Sequence, residues 1–257
     1  MAGLHDSRPA APPTRGMSPS IPPAADHART LHTRAGDFPL DEYRLRLAGR
    51  EWSVLHAASV LSFWEEQHFL SEFRDRLPYG VTLWPAAIAL THDVAGRPDA
   101  FRGRRVLELG AGTGLPGIVA ATFGARVVQT DRHELPMEVA RRNGARNGIG
   151  RDGTPAVDYR LADWTRWDDA ERYDWILGAD VLYGETMHPH LRRIFAENLA
   201  PGGRLLLADP FRSASLRLLE AMEADGWTVA GSKWNVGDAA GDEEPRPVGV
   251  FELAPPR

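Results

Sequence analysis

Between Val106 and Asp131 the chain reads VLELGAGTGLPGIVAATFGARVVQTD: an apolar run, a glycine-rich turn, a stretch of small apolar residues and a second apolar run closed by an acid. Gly110, Gly112 and Gly114 permit a tight backbone turn and let a ligand approach without a Cβ in the way. From Gly112 to Gly117 the string also satisfies GxGxxG, the pattern of a dinucleotide-binding turn. Counted from the end of VLEL, however, Gly110 is the first functional glycine, and Glu108 stands on the strand end just before it. A carboxylate there suits a ligand carrying an ammonium group, directly or through water, and repels a pyrophosphate. Asp131 ends the second apolar run, where a carboxylate can accept both ribose hydroxyl protons of an adenosine ligand.

Two later segments extend this chemistry. LADWTRW places Asp163 and Trp164 just past a third strand. An acid there can accept an adenine amino proton while the indole covers the face of the base. GADVLYGET brings Asp180 and Tyr183 out of a fourth strand at the same edge. Together these features favour S-adenosylmethionine over a dinucleotide, although Asp131 alone would suit NAD as well, and Asp180 and Tyr183 then fall beside its methyl group. Other candidates fit less well. His188 and His190 in MHPH are too close for i, i+4 ligation on a helix and have no third ligand, so no metal site is expected. Ser213 and Ser215, which follow DPFR, suit helix N-cap roles.

The elements that must hold these residues alternate in type. Strands are expected over 105–110, 126–131, 157–162 and 173–179, and helices over 114–123, 134–147 and 188–199. A strand at RLLLAD, entered through a turn at Pro201, Gly202 and Gly203, a helix at SASLRLLEAMEADG and two strands at WTVAGSKWNV and PVGVFEL complete the order. Strands alternating with helices imply an α/β fold, a doubly wound Rossmann-like sheet of seven mostly parallel strands. The last two strands lack a helix between them, so they form a hairpin whose final strand runs antiparallel to the rest. The glycine turn follows its strand directly and lies at the C-terminal edge of the sheet, where open α/β folds bind ligands.

Upstream, YRLRLAGREWSVLHAA (43–58) alternates apolar and polar residues around AGRE, as a β-hairpin does. FWEEQHFLSEF reads as a short amphipathic segment, and TLWPAAIALTHDVAG as a helix with Pro85 in its first turn. Residues 1–36, rich in Pro, Ala and Arg, carry too few large apolar groups to offset the entropy of ordering, and a disordered tail is expected there. The expected organisation is that tail and one domain over 37–257, with a hairpin-and-helix extension at 37–81 and the Rossmann-like core at 82–257. GDAAGDEEPRP, between the last two strands, is expected as a mobile acidic loop.

The 257 residues, 43% of them hydrophobic, suffice to bury a substantial core. A net charge of -5 gives no overall attraction to nucleic acid or anionic membrane, so neither is an expected partner. The absence of cysteine removes disulfides, thiolate metal sites and cysteine nucleophiles together. Apolar runs fall well short of the roughly 20 residues that span a bilayer. The N-terminus lacks the continuous apolar core of a secretory signal, and a soluble, cytoplasmic protein is expected.

From about Thr82 to Phe251 the chain resembles a class I, seven-strand S-adenosylmethionine-dependent methyltransferase. LWPAA, ELGAGTGLPGIVAA, DW and ADVLY together resemble the DxxY-type protein lysine methyltransferases, a pattern shared with nicotinamide-N-methyltransferase-like sequences. The resemblance implies that Trp84 contacts the cofactor from the helix before the core, and that Gly110, Ala111 and Gly112 hold its methionine end. It further implies that Asp131 holds the ribose, Trp164 borders the adenine, Ala179 contacts the cofactor through its backbone, and Asp180 with Tyr183 forms the DxxY element. The implied acceptor is a lysine side chain of a protein. Alternatives are a small-molecule amine or heteroaromatic nitrogen as acceptor, and, from other classes, an NAD-binding oxidoreductase or a non-catalytic adenosine-binding module.

Overall fold

The computed structural model describes residues 29–33, 36–57, 79–151, 153–237 and 245–256. Residues 1–28, the amphipathic segment 63–73 and positions 238–244 of the acidic linker lie outside them. Seven strands form the main sheet: β4 (Arg105–Leu109), β5 (Arg126–Asp131), β6 (Asp158–Leu161), β7 (Tyr173–Ala179), β8 (Leu199–Asp209), β9 (Thr228–Val236) and β10 (Arg246–Ala254). Their spatial order is β6-β5-β4-β7-β8-β10-β9. All neighbours pair in parallel except β10, which runs antiparallel to both β8 and β9. This is the expected doubly wound sheet with a reversed last strand.

Helices cover both faces, as a parallel sheet with buried strands requires. On one face lie α1 (Pro85–Ala95) and α2 (Leu115–Thr122), whose Ile88, Leu90, Ile118 and Val119 pack on Val106, Val127 and Val250. On the other lie α4 (His188–Asn198) and α5 (Ser213–Ala224), whose Leu191, Phe195, Leu218 and Met222 pack on Leu107, Ile176 and Leu205. Alternate residues of β4 thus serve opposite cores, which is why VLEL is apolar at every position but Glu108. The expected turn at Pro201–Gly203 lies inside β8 rather than before it: the strand begins at Leu199, and the register with β7 shifts between Tyr173 and Trp175 to absorb the extra residues.

A second sheet, ordered β1-β2-β3, is built from β1 (Thr30–Thr33), β2 (Gly36–Leu47) and β3 (Arg50–Ala57). The β2–β3 turn is Ala48-Gly49, both at positive φ (51° and 74°), the conformation that matches the twist of a two-residue hairpin. Strand β1 corrects the expected boundary of the tail, because Thr30–Thr33 pair antiparallel with Gly36–Pro39. Leu31 is buried there with Leu40, Leu55, Val81 and Val139. The burial that orders Leu31 comes from residues remote in sequence, which local composition does not report. Helix α3 (Glu134–Arg146) lies between this small sheet and the glycine turn, giving Val139 to the one and Met137 and Ala140 to Ala111 on the other.

Candidate active site

The chain leaves β4 into a loop that only glycines can follow. Gly110, Gly112 and Gly114 have φ of 60°, 55° and 78°, in the left-handed region. A Cβ on Gly110 would stand 2.8 Å from Val181 Cγ1 and 3.5 Å from Trp164 Cζ2, and one on Gly112 would stand 3.0 Å from the Gly80 carbonyl. The loop is therefore walled by the chain after β6, the chain after β7 and the turn Tyr79–Val81 that precedes α1. Ala111, buried against α3, donates its N–H to the Thr130 carbonyl at 2.9 Å, which fixes the loop to the end of β5.

Glu108 points inward. Its Oε2 accepts from the Gly117 N–H at 3.1 Å and from Gln129 Nε2 at 2.6 Å, and the residue is 2% exposed. Gln129 Nε2 also donates to the Gly114 carbonyl at 2.7 Å. Burial pushes the Glu108 carboxyl up to about 7, against the opposing pull of the Gln129 and Gly117 bonds. The acid placed from sequence on the ligand's ammonium thus spends Oε2 bracing the loop from beneath.

Asp131 stands where β5 meets the loop. Its Oδ2 accepts from Gly112 N at 3.3 Å and its Oδ1 from His133 N at 3.2 Å. Desolvation raises its pKa, while the His133 and Gly112 N–H groups pull it down. Oδ2 thus faces the loop and Oδ1 the start of α3. Asp163 is exposed, its pKa lowered by N–H and hydroxyl bonds from Thr165 at 2.9 and 2.8 Å, which cap the turn Trp164–Arg166. The turn holds the Trp164 ring, half-buried, across Gly110. Trp84 is half-buried in extended backbone immediately before α1, its carbonyl accepting from Ala87 N at 3.0 Å.

Asp180 continues from Ala179 at the end of β7, its N–H reaching the Ala208 carbonyl at 2.9 Å. Its φ is 55°, a strained conformation for a residue with a side chain. The carboxylate, 8% exposed, is ion-paired with Arg212. Arg212 is itself held by Asp209 at the end of β8: Nη1 donates to Oδ2 at 3.1 Å, and the Arg212 N–H donates to Oδ1 at 2.7 Å. Between them Phe211 is at φ 62°, another strained position, its ring edge-on to Phe251. Tyr183 is 58% exposed. Desolvation, and then the Asp131 charge, raise its pKa, against the opposing pull of Arg212. Its exposed face lets water screen these effects.

Of the residues expected from sequence, Trp164 and Asp131 meet the glycine loop, Glu108 lies beneath it and Asp180 pairs with Arg212, while Asp163 and Tyr183 are exposed and Trp84 is half-buried before α1. Three participants carried no local signal: Gly80, Gln129 and Arg212. DPFR holds Asp209 and Arg212 three apart, a spacing that in hindsight suits the side-chain-to-backbone bond seen here. That bond also displaces the expected serine caps, because the N-cap of α5 is Arg212 and Ser215 is buried at the third helical position. His188 Nε2 lies 2.8 Å from the Leu182 carbonyl. Among the described residues, no group of three or more His, Asp or Glu is arranged to hold a metal, and no helix is long and apolar enough to cross a membrane.

The residues present suit S-adenosylmethionine: left-handed glycines carry the loop past its neighbours with no side chain at Gly110, Gly112 or Gly114, and the Asp131 carboxylate meets the loop at Gly112 N. Comparison with known proteins agrees. Residues 62–223 match the family described as lysine methyltransferase. The chain is 37% identical over 138 residues to protein N-lysine methyltransferase METTL21A of Xenopus tropicalis, covering 53% of this chain and 63% of that protein. It is 34% identical over 180 residues to METTL21A of Danio rerio, covering 69% and 71%. The chain thus spans about two thirds of the length of these relatives. In fold it is similar to a T. thermophilus 16S rRNA methyltransferase solved in complex with AdoMet and guanosine, with TM-score 0.54 and 20% identity over 85% of this chain and 51% of that one. The family match spans more than half of the chain, and the chain belongs to the lysine methyltransferase family.

Proposed function

We propose that this chain is an S-adenosylmethionine-dependent N-methyltransferase whose acceptor is a lysine side chain of a protein. The observation that carries the reading is the adjacency of two half-sites at one sheet edge. The glycine loop and Asp131 form the donor side, and the Asp180–Arg212 pair, with exposed Tyr183 three residues beyond Asp180, forms the acceptor side.

S-adenosylmethionine, when bound, supplies a methyl group already made electrophilic by the sulfonium. The chain's task is then to align the nucleophile and exclude water. The loop backbone and Asp131 fix the donor end, and Trp164 covers the adenine. A lysine with a reference pKa near 10.4 arrives charged, and burial at the acceptor side favours loss of its proton. Asp180, charge-paired to Arg212, is a weak proton acceptor and serves to anchor and orient the amine. The proton leaves to water.

The test uses purified chain, methyl-labelled S-adenosylmethionine and cell lysate separated into protein and small-molecule fractions. The expected result is label in protein, recovered on lysine after hydrolysis. Label confined to small molecules, or recovered on arginine, overturns the acceptor. An unchanged turnover in Asp180→Asn removes Asp180 from the site.

A further inference from the structure

We infer that Asn143 couples the N-terminal sheet to the glycine loop, so that docking of that sheet and occupancy of the loop strengthen each other. The inference rests on the reading that the loop holds S-adenosylmethionine, and not on the identity of the acceptor.

Strand β3 is an edge strand, and an edge presents a row of unpaired N–H and C=O groups. Ser53 and Leu55 are two apart and point these groups to the same side. Helix α3 meets them with two asparagines one turn apart. Asn143 Oδ1 accepts from Leu55 N at 2.7 Å, and its Nδ2 donates to the Leu55 carbonyl at 3.0 Å. Asn147 Oδ1 accepts from Ser53 N at 3.1 Å, and its Nδ2 donates to the Ser53 carbonyl at 2.7 Å. Each carboxamide therefore replaces a missing neighbouring strand.

The two differ in their last hydrogen bond. Asn147 Nδ2 returns to its own helix, at the Asn143 carbonyl, 2.8 Å away. Asn143 Nδ2 instead donates at 2.9 Å to the carbonyl of Thr113, the residue between Gly112 and Gly114. Asn143 is 0% exposed and Thr113 2%, so water cannot replace that bond. A buried carbonyl without a donor is costly, and the Thr113 peptide is set by the flanking left-handed glycines. If the sheet lifts, Asn143 loses its two bonds to Leu55 and its rotamer relaxes. The Thr113 carbonyl is then free to turn, and the loop loses the shape that fits the ligand. Linkage makes the effect reciprocal. Asn143 acts here as a positioning residue, through Thr113.

Asn147 supplies the control, because it docks the same strand without touching the loop. With the full chain and S-adenosylhomocysteine as probe, Asn143→Ala should weaken binding about 10-fold, within the usual span of coupling between sites. Asn147→Ala, at a comparable loss of thermal stability, should stay within about 2-fold. In wild type, saturating S-adenosylhomocysteine should slow hydrogen exchange over residues 50–57, a measurement that needs no variant. Asn147→Ala should keep that protection and Asn143→Ala should lose it. Equal weakening by both variants, or exchange over 50–57 indifferent to the probe, overturns the coupling. Wild type that fails to bind the probe at all overturns the donor-site reading instead, a distinguishable result.

Discussion

Arg212 joins Asp180 to Asp209, its guanidinium on one carboxylate and, at 3.1 Å, on the other, so that a single cation ties together the ends of two adjacent strands. Asp180 could not be a movable base in this setting. Its position is fixed from two sides, by a strained backbone and by a partner that is itself bracketed.

Replacing Arg212 with Gln should therefore damage the acceptor side alone. Truncating one partner of a mostly buried, hydrogen-bonded charge pair costs about 2–5 kcal/mol. At 22% exposure of Arg212 the lower end applies, and turnover should fall about 10- to 100-fold. Arg212→Lys should recover part of it, since an ammonium restores the charge but not the planar fork. Steady-state methyl incorporation, beside calorimetry showing unchanged S-adenosylhomocysteine affinity, checks this; a parallel loss of cofactor affinity would contradict the division into two half-sites.

Asp131 governs the other side. Hydrogen bonds to charged groups contribute about 1.5–3 kcal/mol. Asp131→Asn should accordingly raise the dissociation constant of S-adenosylhomocysteine about 10- to 100-fold. The fold should survive, because the Asn oxygen can still cap one backbone N–H. Titration calorimetry decides, and an affinity within about 2-fold of wild type would remove the ribose from this carboxylate.

Glu108 predicts an unusual pH dependence. Burial raises its pKa to about 7 from 4.5, so between these values the folded chain holds a proton that the unfolded chain has released. Stability is then greatest below the unfolded value and declines as pH rises through about 7, by about 3 kcal/mol in all. Glu108→Gln, which keeps an oxygen for Gly117 and Gln129, should flatten that decline. Melting temperatures from about pH 5 to about pH 8 report it. An identical slope in both proteins would place the titration elsewhere.

Gly110 and Gly103 separate close approach from backbone strain. Both have positive φ (60° and 71°), but a Cβ on Gly103 meets nothing within 4 Å, while one on Gly110 would press on Val181 at 2.8 Å. Gly103→Ala should cost only the left-handed penalty, about 1–2 kcal/mol. Gly110→Ala should cost visibly more and also weaken S-adenosylhomocysteine binding. Urea unfolding compares the two, and equal costs would mean that Val181 yields without strain.

Much of the fold was legible because its signals are local. Strand β7 begins and ends where the apolar run does, α2 and α3 start and stop within a residue or so of expectation, and the missing helix before β10 foretold its reversed direction. Where candidate residues coincide with element ends their placement was legible too: glycines after β4, an acid ending β5, Asp180 and Tyr183 after β7. Leu31 was not, since most of the apolar residues buried with it, Leu55, Val81 and Val139, come from distant parts of the chain.

By itself, then, the sequence determined which elements of the main sheet form, in what order, and which residues emerge at its C-terminal edge, because periodicity, glycine and chain reversal act over a few residues. Tertiary structure alone decided which way those residues face and what holds them. Glu108 turned inward because Gln129, 21 residues away, met it under the loop. Arg212 reached Asp180 across 32 residues because parallel pairing set β7 beside β8. Asn143 found Leu55 across 88 residues because an edge strand needed partners that no neighbouring strand supplied. A side chain's partner depends on which chain ends meet in space, and that is fixed only when the sheet has assembled.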